Sequence, residues 1–324
     1  MEIAALAPDA WLLAAAVALD LLLGDPVYGA HPVRLMGGTL AWFENRLRGA
    51  GFNGYGGGVA LLGLLAAVWC GGLAVALLAA ARVHAWLAMA LHIFLVYSLL
   101  ALRDLLRHAW AVERAARRGD VAGARAAVAQ LVGRDTNRMD FAACQRAAIE
   151  SLSENLTDGF ISPLFWYAAG GIPGLVLFKV ASTMDSMVGY KSKKYIRFGW
   201  CGARLDDLLN LLPARLTWLL LAVAALFIPG CSAAKALRTG WRQHGILPGP
   251  NSGWSEAAIA GALQRRLIGP VWANGQLVTA IWLGDAADPP AGDAADLPRA
   301  SWLAVAAGMA AAALTICVLA LRAR

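Results

Sequence analysis

The stretch F-I-S-P-L-F-W-Y-A-A-G-G-I-P-G-L-V-L-F-K-V (residues 160–180) is long and apolar, and Gly-Gly-Ile-Pro-Gly interrupts it at its centre. About 20 apolar residues are enough for a helix to cross a bilayer, but proline and glycine at the middle disfavour one straight helix. Irregular backbone is tolerated at membrane depth where protein buries it. The stretch therefore predicts a helical hairpin or re-entrant segment folded at residues 170–174.

The composition of the whole chain agrees with a membrane protein. Of 324 residues, 59% are hydrophobic and 15% are charged, whereas an average soluble domain has about 25% charged residues. The net charge of +7 is not gathered into basic runs with interleaved aromatic residues, which argues against a nucleic-acid partner. The five cysteines are scattered and form no C-x-x-C, which argues against a disulfide framework and a zinc site.

Other apolar stretches predict further membrane segments. Those long enough to span the bilayer are 58–81, 83–102 and 301–321. Residues 3–23 are a weaker span, because Pro8-Asp9 and Asp20 interrupt it, and they do not resemble a signal peptide, because the first residues lack Lys and Arg. Residues 208–228 carry Pro213 and Arg215 and form either a kinked span or a second broken hairpin.

Positive charge predicts which loops face the cytoplasm. Residues 103–158 hold nine Arg, 183–207 hold five Lys or Arg, and 229–300 hold six, so all three are expected on the cytoplasmic side. We expect one membrane domain over residues 1–324. It includes an amphipathic helical insert at 103–150, broken at R-R-G-D (117–120), and a flexible linker at 284–300 before the last span. No strand-like alternation is long enough to trust, so the predicted fold is all-α.

A row of carboxylates precedes the interrupted stretch. Glu150, Glu154 and Asp158 follow Arg146 at a spacing of four, which places them on one helical face, and Asn155 flanks that face. A solvated helix face would explain them. Because they lead into a membrane segment, where carboxylates are usually functional, they also predict oxygen ligands for Mg²⁺.

Two further segments combine acids with bases or amides. S-T-M-D-S-M-V-G-Y-K (182–191) carries Asp185 and Lys191, either as a helix end with a solvated Lys or with Lys191 on a phosphate. Gly189 in that segment permits a tight turn.

The segment 198–215 contains two kinds of pair. Arg204 and Asp207 are spaced as a helical ion pair. Asp206 and Asn210 share a face, and their oxygens suit a second Mg²⁺ or a ribose.

Two loops carry the remaining polar candidates. In G-P-N-S-G-W-S-E (249–256), Ser255 is predicted as a helix N-cap with Glu256 in the first turn, while Asn251 and Ser252 before it are candidates to seat an anion. Near the start of the chain, a turn carries His31 and Arg34. A lone His in such a turn is more often a hydrogen-bonded loop residue than a catalyst.

Seven motifs, in this order, resemble the adenosylcobinamide-phosphate synthase family of cobalamin biosynthesis, the CobD/CbiB family. They are H-P-V-R (31–34), L-V-G-R-D-T (131–136), E-S-L-S-E-N-L-T-D-G (150–159), S-T-M-D-S-M-V-G-Y-K (182–191), F-G-x-x-x-A-R-L-D-D-x-x-N-x-x-P-A-R (198–215), P-N-S-G-W-S-E-A (250–257) and W-L-G-D (282–285). Departures at Ser182, Met184 and Ser255 remove no ionisable group. The resemblance covers nearly the whole chain.

The resemblance implies an ATP- and Mg²⁺-dependent ligase in the membrane. Its corrinoid substrate would be adenosylcobyric acid, whose propionate carboxylate would be joined to the amine of aminopropanol phosphate or a related amino alcohol, by way of an acyl phosphate. Partners implied besides the substrates are membrane lipid, a second copy of the chain, or other membrane enzymes of cobalamin assembly.

By that analogy the polar residues take definite roles in a single pocket at the cytoplasmic rim. Glu154, Asp158 and Asp185, with Asp206 or Asp207, would bind metal. Arg34, Arg134, Lys191 and Arg204 would hold phosphates, with His31, Asn155, Asn210, Asn251 and Ser252 as further substrate contacts. Glu150 would act as the base for the ammonium group.

A non-catalytic membrane sensor is the alternative, since a related family tied to β-lactamase induction signalling shares this membrane architecture. A sensor has little use for so many carboxylates and bases at membrane edges. A secondary transporter is a third interpretation, but it predicts inverted repeats with discontinuous helices in both halves, and the sequence contains no matching half.

Overall fold

The computed structural model describes residues 5–25, 28–29 and 31–324. The α-helices of this part of the chain are α1 Ala10–Leu23, α2 Pro32–Gly49, α3 Tyr55–Ala66, α4 Gly72–Val83, α5 Ala85–Ser98, α6 Leu102–Arg117, α7 Val121–Val128, α8 Phe141–Leu156, α9 Ser162–Val188, α10 Trp200–Leu209, α11 Leu211–Ala224, α12 Ala233–Gln243, α13 Ser252–Leu263 and α14 Asp296–Arg322. Two π-helical segments, Ala67–Gly71 and Thr157–Ile161, join α3 to α4 and α8 to α9. The prediction of an all-α fold is confirmed.

Several helical stretches are long and apolar enough to cross a membrane. Within the described residues they are Tyr55–Val83, Ala85–Arg117, Phe141–Val188 and Asp296–Arg322, with the bent pair Trp200–Leu209 and Leu211–Ala224 as a fifth candidate. Only 17% of the most apolar window of Tyr55–Val83 is buried inside the protein. An apolar surface of this extent is stable against lipid rather than water, so the chain is a polytopic membrane protein.

The first apolar segment is shorter than a full span. α1 has 14 residues, about 21 Å of helix, and it begins after Asp9, whose side chain accepts hydrogen bonds from the main-chain N–H groups of Trp11 and Leu12. The predicted start of this segment at residues 3 and 4 lies outside the described residues. The Asp9 carboxylate therefore caps the amino-terminal end of α1, and the apolar helix begins after it.

The interrupted stretch forms the expected hairpin within α9. Gly171 has a left-handed φ of 62°, and a β-carbon at Gly174 would lie 2.5 Å from the main-chain oxygen of Trp166. In a straight helix, residues 166 and 174 are about 12 Å apart. Trp166 also packs against the apolar cluster of Phe178, Ala181 and Leu209. The chain therefore reverses direction at the glycine pair, and the prediction is confirmed.

The segment predicted as kinked or broken is a bent pair of helices. α10 and α11 meet at Asn210 with a bend of 44°. Pro213 lies in the first turn of α11, where a proline removes no intrahelical hydrogen bond. α10 therefore ends before this bend, and Asp206 and Asn210 lie at its carboxyl end.

The chain packs as two units, each built from segments that are distant in sequence. The first unit comprises Met1–Ala101, Ser162–Asn210 and Ala312–Arg324, and the second comprises Leu102–Ile161 and Leu211–Ala311. The single membrane domain expected from the sequence stays a prediction.

A buried polar network ties the start of the first unit to its hairpin. His92 Nε2 and the Tyr167 hydroxyl are 2.7 Å apart, and His92 Nδ1 lies 2.9 Å from the Ala5 carbonyl oxygen. The Asp9 main-chain N–H donates to the same hydroxyl at 2.9 Å. Buried polar groups in a membrane segment need such partners, so His92 has a structural role.

The second unit contains the predicted helical insert and four short strands. The insert breaks as expected: α6 ends at Arg117, Gly119 has φ of 70°, and Asp120 caps α7. Strands β1 Leu267–Ile268 and β4 Trp282–Leu283 pair antiparallel, as do β2 Val271–Ala273 and β3 Gln276–Thr279. Strands of two to four residues are too short to show an alternating pattern, so the sequence did not predict them.

The segment predicted as a flexible linker shares ion pairs with the second unit. Lys235 Nζ lies 3.0 Å from Asp288 Oδ1. Arg265 pairs with Asp293 and, at 3.0 Å, with Asp296, the first residue of α14. The acidic residues of this segment therefore attach it to neighbouring helices, and it ends at residue 295 rather than 300.

Candidate functional site

The first group of charged side chains lies in the first unit, around Asp206 on α10. Asn210 donates a hydrogen bond to Asp206 Oδ2 at 3.1 Å, and Ser162 donates to Asn210 Oδ1 at 2.6 Å. The other oxygen, Asp206 Oδ1, is buried and accepts no hydrogen bond within the described residues. The Ser162–Asn210 pair therefore orients a carboxylate that keeps one oxygen for a ligand.

Two more carboxylates and one ammonium group lie near Asp206. Asp185 and Asp207 are close enough to repel its carboxylate, and Lys179 is close enough to attract it. We call Asp185, Asp206 and Asp207 the acidic cluster. Close carboxylates repel one another, and a bound cation relieves that repulsion, so the acidic cluster is a candidate cation site.

Glycines allow α10 to approach the end of α9 closely. A β-carbon at Gly199 would lie 1.7 Å from the carbonyl oxygen of Val188, and one at Gly202 would lie 2.5 Å from Met184 Cγ. Real side chains do not fit at such distances. Glycine at these two positions therefore brings α10, with Asp206 and Asp207, next to Asp185.

Gly189 has a different role from the tight turn that the sequence predicts. Its backbone is outside the left-handed region, but a β-carbon there would lie 2.1 Å from Asp185 Oδ1. The position needs glycine because the Asp185 side chain occupies the space.

The other predicted residues of the first unit differ in their relation to the acidic cluster, which Arg204 contacts through Asp207. Arg204 forms the expected helical ion pair with Asp207 at 3.3 Å. His31 Nε2 lies 2.8 Å from Asp25 Oδ1. Arg34 and Lys191 are exposed. Within the described residues, His31, Arg34 and Lys191 make no ion pair with the acidic cluster, and their predicted substrate contacts stay predictions.

The second group lies in the second unit, around Glu150 on α8. Arg134 pairs with Glu150 Oε2, and the main-chain N–H of Ile268 donates to Glu150 Oε1 at 2.8 Å. Arg146, one turn earlier, donates to the Ile268 carbonyl oxygen at 3.0 Å. Both oxygens of Glu150 are thus engaged in holding the loop of Arg134 and strand β1 to α8. This geometry favours a positioning role for Glu150, and its predicted role as a base stays a prediction.

Glu256 on α13 belongs to the same group. It is 5% exposed. Burial, followed by the nearby Glu154 and Glu150 carboxylates, raises the pKa of Glu256 well above its ordinary value, and Arg134 offsets part of that rise. We call Arg134, Glu150, Glu154 and Glu256 the arginine–glutamate cluster.

The sequence did not identify Glu256 because capping explained it. The structure shows that interpretation was wrong. The N-cap position of α13 is Asn251 and the helix begins at Ser252, so Ser255 and Glu256 lie beyond the first turn. Gly253, in the first turn, packs against the carbonyl oxygen of His244, where a β-carbon would lie at 2.0 Å. A usable signal existed: Glu256 is the single ionisable residue in the sequence of α13.

The remaining predicted residues of α8 lie at its carboxyl end. Glu154 is exposed, and Asn155 donates to the Ser151 carbonyl oxygen at 2.8 Å. Asp158 falls in the π-helical segment Thr157–Ile161. Such segments shift the helical register and occur often at functional sites. The sequence placed Asp158 on the face of Glu150 by α-helical spacing and did not predict this shift.

The loop before α13 is held by an arginine. Arg215 Nη1 lies 3.4 Å from Asn251 Oδ1 and 2.7 Å from the Leu211 carbonyl oxygen. The Arg215 guanidinium also lies over the Trp254 ring at 4.9 Å. Asn251 and Ser252 are half-buried, and their predicted anion binding stays a prediction.

The residues of the acidic cluster fit Mg²⁺ together with a phosphate-bearing substrate. Within the described residues, no group of three or more His, Cys, Asp and Glu side chains is arranged to hold a metal ion by itself. Mg²⁺ in phosphate chemistry, however, commonly takes one or two carboxylates and fills its remaining positions with water and phosphate oxygens. Asp206 Oδ1, buried and without a hydrogen bond beside two carboxylates, matches that requirement.

Several of the predicted residues thus gather in two groups, one in each unit. The acidic cluster unites Asp185, Asp206 and Asp207, and the arginine–glutamate cluster unites Arg134, Glu150 and Glu154. The single pocket that the sequence predicts stays a prediction.

The fold and these groups define a polytopic α-helical membrane protein with buried, charge-rich candidate sites. Comparison with protein families identifies it further. The family model described as CobD/Cbib protein matches residues 13–304, and the chain belongs to this family.

Curated relatives agree over most of the chain. It is 41% identical to the cobalamin biosynthesis protein CobD of Klebsiella pneumoniae subsp. pneumoniae, with 90% of this chain and 92% of that protein covered. It is 40% identical to the cobalamin biosynthesis protein CbiB of Salmonella typhimurium, with 91% and 93% covered. It is 45% identical to the cobalamin biosynthesis protein CobD of a Sinorhizobium species, with 80% and 82% covered. No solved structure matches the chain.

Proposed function

We propose that this protein is an ATP- and Mg²⁺-dependent amide ligase of cobalamin biosynthesis. It would join a propionate carboxylate of adenosylcobyric acid to the amine of an amino alcohol phosphate. The observation that carries the proposal is family membership over residues 13–304, together with relatives that are named cobalamin biosynthesis proteins.

The chemistry sets clear requirements for the site. A carboxylate does not condense with an ammonium group in water, and ATP supplies the activation when it is bound. The protein must neutralise phosphate charge, orient the carboxylate and accept a proton from the ammonium group before the amide forms.

The acidic cluster meets the first requirement. Asp206, oriented by Asn210, would hold Mg²⁺ through its free oxygen, with Asp185 and Asp207 beside it. Lys179 nearby adds a positive charge. In this arrangement the repulsion between carboxylates is relieved when the cation is present.

The arginine–glutamate cluster suits the handling of anions and protons. Arg134 pairs with Glu150 through Nη2, and its Nε is buried with no hydrogen-bond partner in the described part of the chain. Glu256, whose pKa is raised by burial, can exchange a proton nearer to neutral pH than an ordinary glutamate. We propose Arg134 as a contact of the anionic substrate and Glu256 as a candidate proton acceptor.

The protein would act at the bacterial inner membrane with its charged residues on the cytoplasmic side, where ATP is present. The basic segments 103–158, 183–207 and 229–300 support this orientation. Association with a second copy or with other enzymes of cobalamin assembly is a further proposal.

The function is tested with purified protein in detergent. Adenosylcobyric acid, ATP, Mg²⁺ and a candidate amine are incubated together, and the corrinoid product is identified by its mass. We expect the mass of the amide when an amino alcohol phosphate is supplied, and unchanged corrinoid when ATP is omitted. Unchanged corrinoid with every amine offered would contradict the proposal.

A further inference from the structure

A small cavity in the second unit is lined by three arginines and a tryptophan. Its volume is about 200 Å³, and its wall includes Arg134, Arg138, Arg146 and Trp272. Pockets for drug-sized ligands are larger, about 300–1,000 Å³, and one water in the liquid takes about 30 Å³. The cavity therefore suits a small ligand rather than a nucleotide or a corrinoid.

The acidic residues of the wall already have partners. Asp135 Oδ2 accepts a hydrogen bond from the main-chain N–H of Gly275 at 2.7 Å, and Asp140 Oδ1 accepts one from Ala143 at 2.7 Å as the cap of α8. These carboxylates hold the β2–β3 turn and the start of α8. They are thus committed to the fold, although their charges still offset part of the positive charge.

The arginines, by contrast, keep unused donors. Arg134 Nε is buried and has no hydrogen-bond partner among the described residues. Arg138 makes no hydrogen bond or ion pair with another described residue, and its guanidinium lies 5.6 Å from the centre of the Trp272 ring. An aromatic ring beneath a guanidinium restrains it and leaves the N–H groups at its edge available. A buried N–H without a partner is costly, so a ligand that accepts from it gains affinity.

Arg146 completes the positive wall. It donates to the carbonyl oxygens of Ile268 and Ala291 at 3.0 and 3.1 Å, and its guanidinium lies 5.2 Å from the centre of the Trp282 ring. These contacts fix its position, so its charge is presented to the cavity without the entropic cost of ordering a long side chain.

We infer that this cavity binds the phosphate group of a small phosphate monoester, with Arg134 and Arg138 donating to its oxygens and Trp272 forming one wall. Guanidinium groups match the geometry of phosphate oxygens through paired N–H donors. The inference rests on the proposed function in one respect: the ligand of this class that such a ligase would use is the amino alcohol phosphate. Inorganic phosphate released from ATP shares the same chemistry, and the experiment separates these two sources.

The test is isothermal titration calorimetry of the full-length protein in detergent, with O-phosphoethanolamine, ethanolamine and inorganic phosphate as separate titrants. The variant is Arg138→Gln, and the matched control is Arg118→Gln, an exposed arginine of the same unit outside the cavity. Because Arg138 is exposed and supports no other described side chain by hydrogen bond, the variant is expected to fold, which its elution from a sizing column checks.

We expect O-phosphoethanolamine to bind the wild type and ethanolamine not to. Loss of a charge-assisted hydrogen bond should weaken binding by about 10- to 100-fold in Arg138→Gln, while Arg118→Gln binds as the wild type does. Arg138→Lys, which keeps the charge but not the paired donors, should recover only part of the affinity. Equal binding of ethanolamine, or wild-type affinity in Arg138→Gln, would overturn the inference.

The titrants also separate the two sources of phosphate. Tighter binding of O-phosphoethanolamine than of inorganic phosphate supports the amine substrate, and the reverse order supports the phosphate released from ATP. Either order, if it depends on Arg138, supports a phosphate site.

A failure here is distinct from a failure of the proposed function. Wild-type affinity for both O-phosphoethanolamine and inorganic phosphate in an Arg138→Gln variant that still forms the amide refutes the cavity and leaves the ligase intact. A protein that binds phosphate through Arg138 but never forms the amide supports the phosphate site and refutes the ligase function.

Discussion

Asp206 and Glu256 show how individual side chains carry the functional argument. Each is a carboxylate largely removed from solvent, and neither has an arginine or lysine at hydrogen-bond distance in the contacts described above. One oxygen of Asp206 accepts a hydrogen bond from the Asn210 amide, and the other has no hydrogen-bond partner among the residues that the structure describes. Glu256 is surrounded by two more glutamates. Stable folds rarely keep buried charge in this state without a functional reason.

The first residue-scale prediction concerns Asp206→Asn. The change keeps the size of the side chain and its contact with Asn210 but removes the charge that would hold Mg²⁺. Because metal stabilisation is worth several kcal/mol, we expect amide formation at saturating substrate to fall by about 100-fold or more. Rates measured across a series of Mg²⁺ concentrations should also show a higher metal requirement.

The control for this prediction is Asp104→Asn. Asp104 pairs with Arg107 on α6, outside both clusters, and a pair of this kind contributes little to stability. Wild-type rates are expected for it. If Asp206→Asn kept the wild-type rate and metal requirement, the proposed binding of Mg²⁺ by the acidic cluster would be contradicted.

The second residue-scale prediction concerns stability and pH. Because the pKa of Glu256 in the folded protein is raised above its ordinary value of 4.5, the folded state holds this proton more tightly than the unfolded chain does. Its contribution to stability is complete below pH 4.5 and is lost as the pH rises through the raised pKa. Glu256→Gln stays neutral, so we expect it to unfold at a higher temperature than the wild type at neutral pH, with the difference shrinking towards pH 4.5.

Thermal unfolding in detergent at a series of pH values measures this difference. Glu113→Gln serves as a comparison, because Glu113 is a buried glutamate of the same unit that pairs with Arg117 at 2.7 Å. Glu113→Gln removes the charge that pairs with Arg117, so this variant should be less stable than the wild type. If the difference in unfolding temperature between the wild type and Glu256→Gln did not vary with pH, the pKa of Glu256 would not be raised in the folded protein.

At the scale of elements, close helix packing positions the acidic cluster. α10 lies against the end of α9 because Gly199 and Gly202 leave room for main-chain and side-chain atoms of α9. The segment between α9 and α10 also holds Arg48, whose guanidinium donates to the Lys194 carbonyl oxygen at 3.1 Å. The positions of Asp206 and Asp207 thus depend on the glycines at the contact between α9 and α10.

This dependence predicts the effect of Gly199→Ala. The added methyl group would meet the Val188 carbonyl oxygen, a main-chain atom that cannot move aside. Overpacking of this kind costs about 1–3 kcal/mol, so we expect a melting temperature several degrees lower and reduced amide formation.

The matched control is Gly38→Ala in α2, where nothing lies within 4 Å of the new β-carbon. Alanine is favoured over glycine in helices by about 1 kcal/mol, so this change should be neutral or stabilising. Equal behaviour of the two variants would show that the close approach of α10 is unimportant.

The hairpin and the broken insert could be predicted from sequence because glycine and proline act locally. Gly171 and Gly119 both adopt positive φ, as a break in a helix requires. The start of α13 was mispredicted because Asn251, and not Ser255, takes the N-cap position, and both residue types are common helix caps. The π-helical turn at Asp158 likewise departs from the α-helical spacing on which its predicted face depended.

At the scale of the whole molecule, apolar composition and charge distribution define a membrane protein, and the described spans agree with it. Which residues approach each other was only partly predictable. Spacing placed Asp206 with Asn210 and Arg204 with Asp207, because each pair lies within one helix. The resemblance to a family predicted that Asp185 and Asp206 bind the same metal, although they lie on different helices and approach each other only in the folded chain. Glu256, Lys179 and the cavity beside Trp272 needed the structure, because their neighbours come from distant segments.

The most direct test of the central claim measures two products of the same reaction. Purified protein is given adenosylcobyric acid, an amino alcohol phosphate, ATP and Mg²⁺, and both the amide and the inorganic phosphate are quantified over time. The account predicts that they appear in a ratio of about one and that phosphate release stops when the corrinoid is omitted. Release of phosphate without corrinoid, or no amide at all, would contradict the assignment of this protein as a ligase.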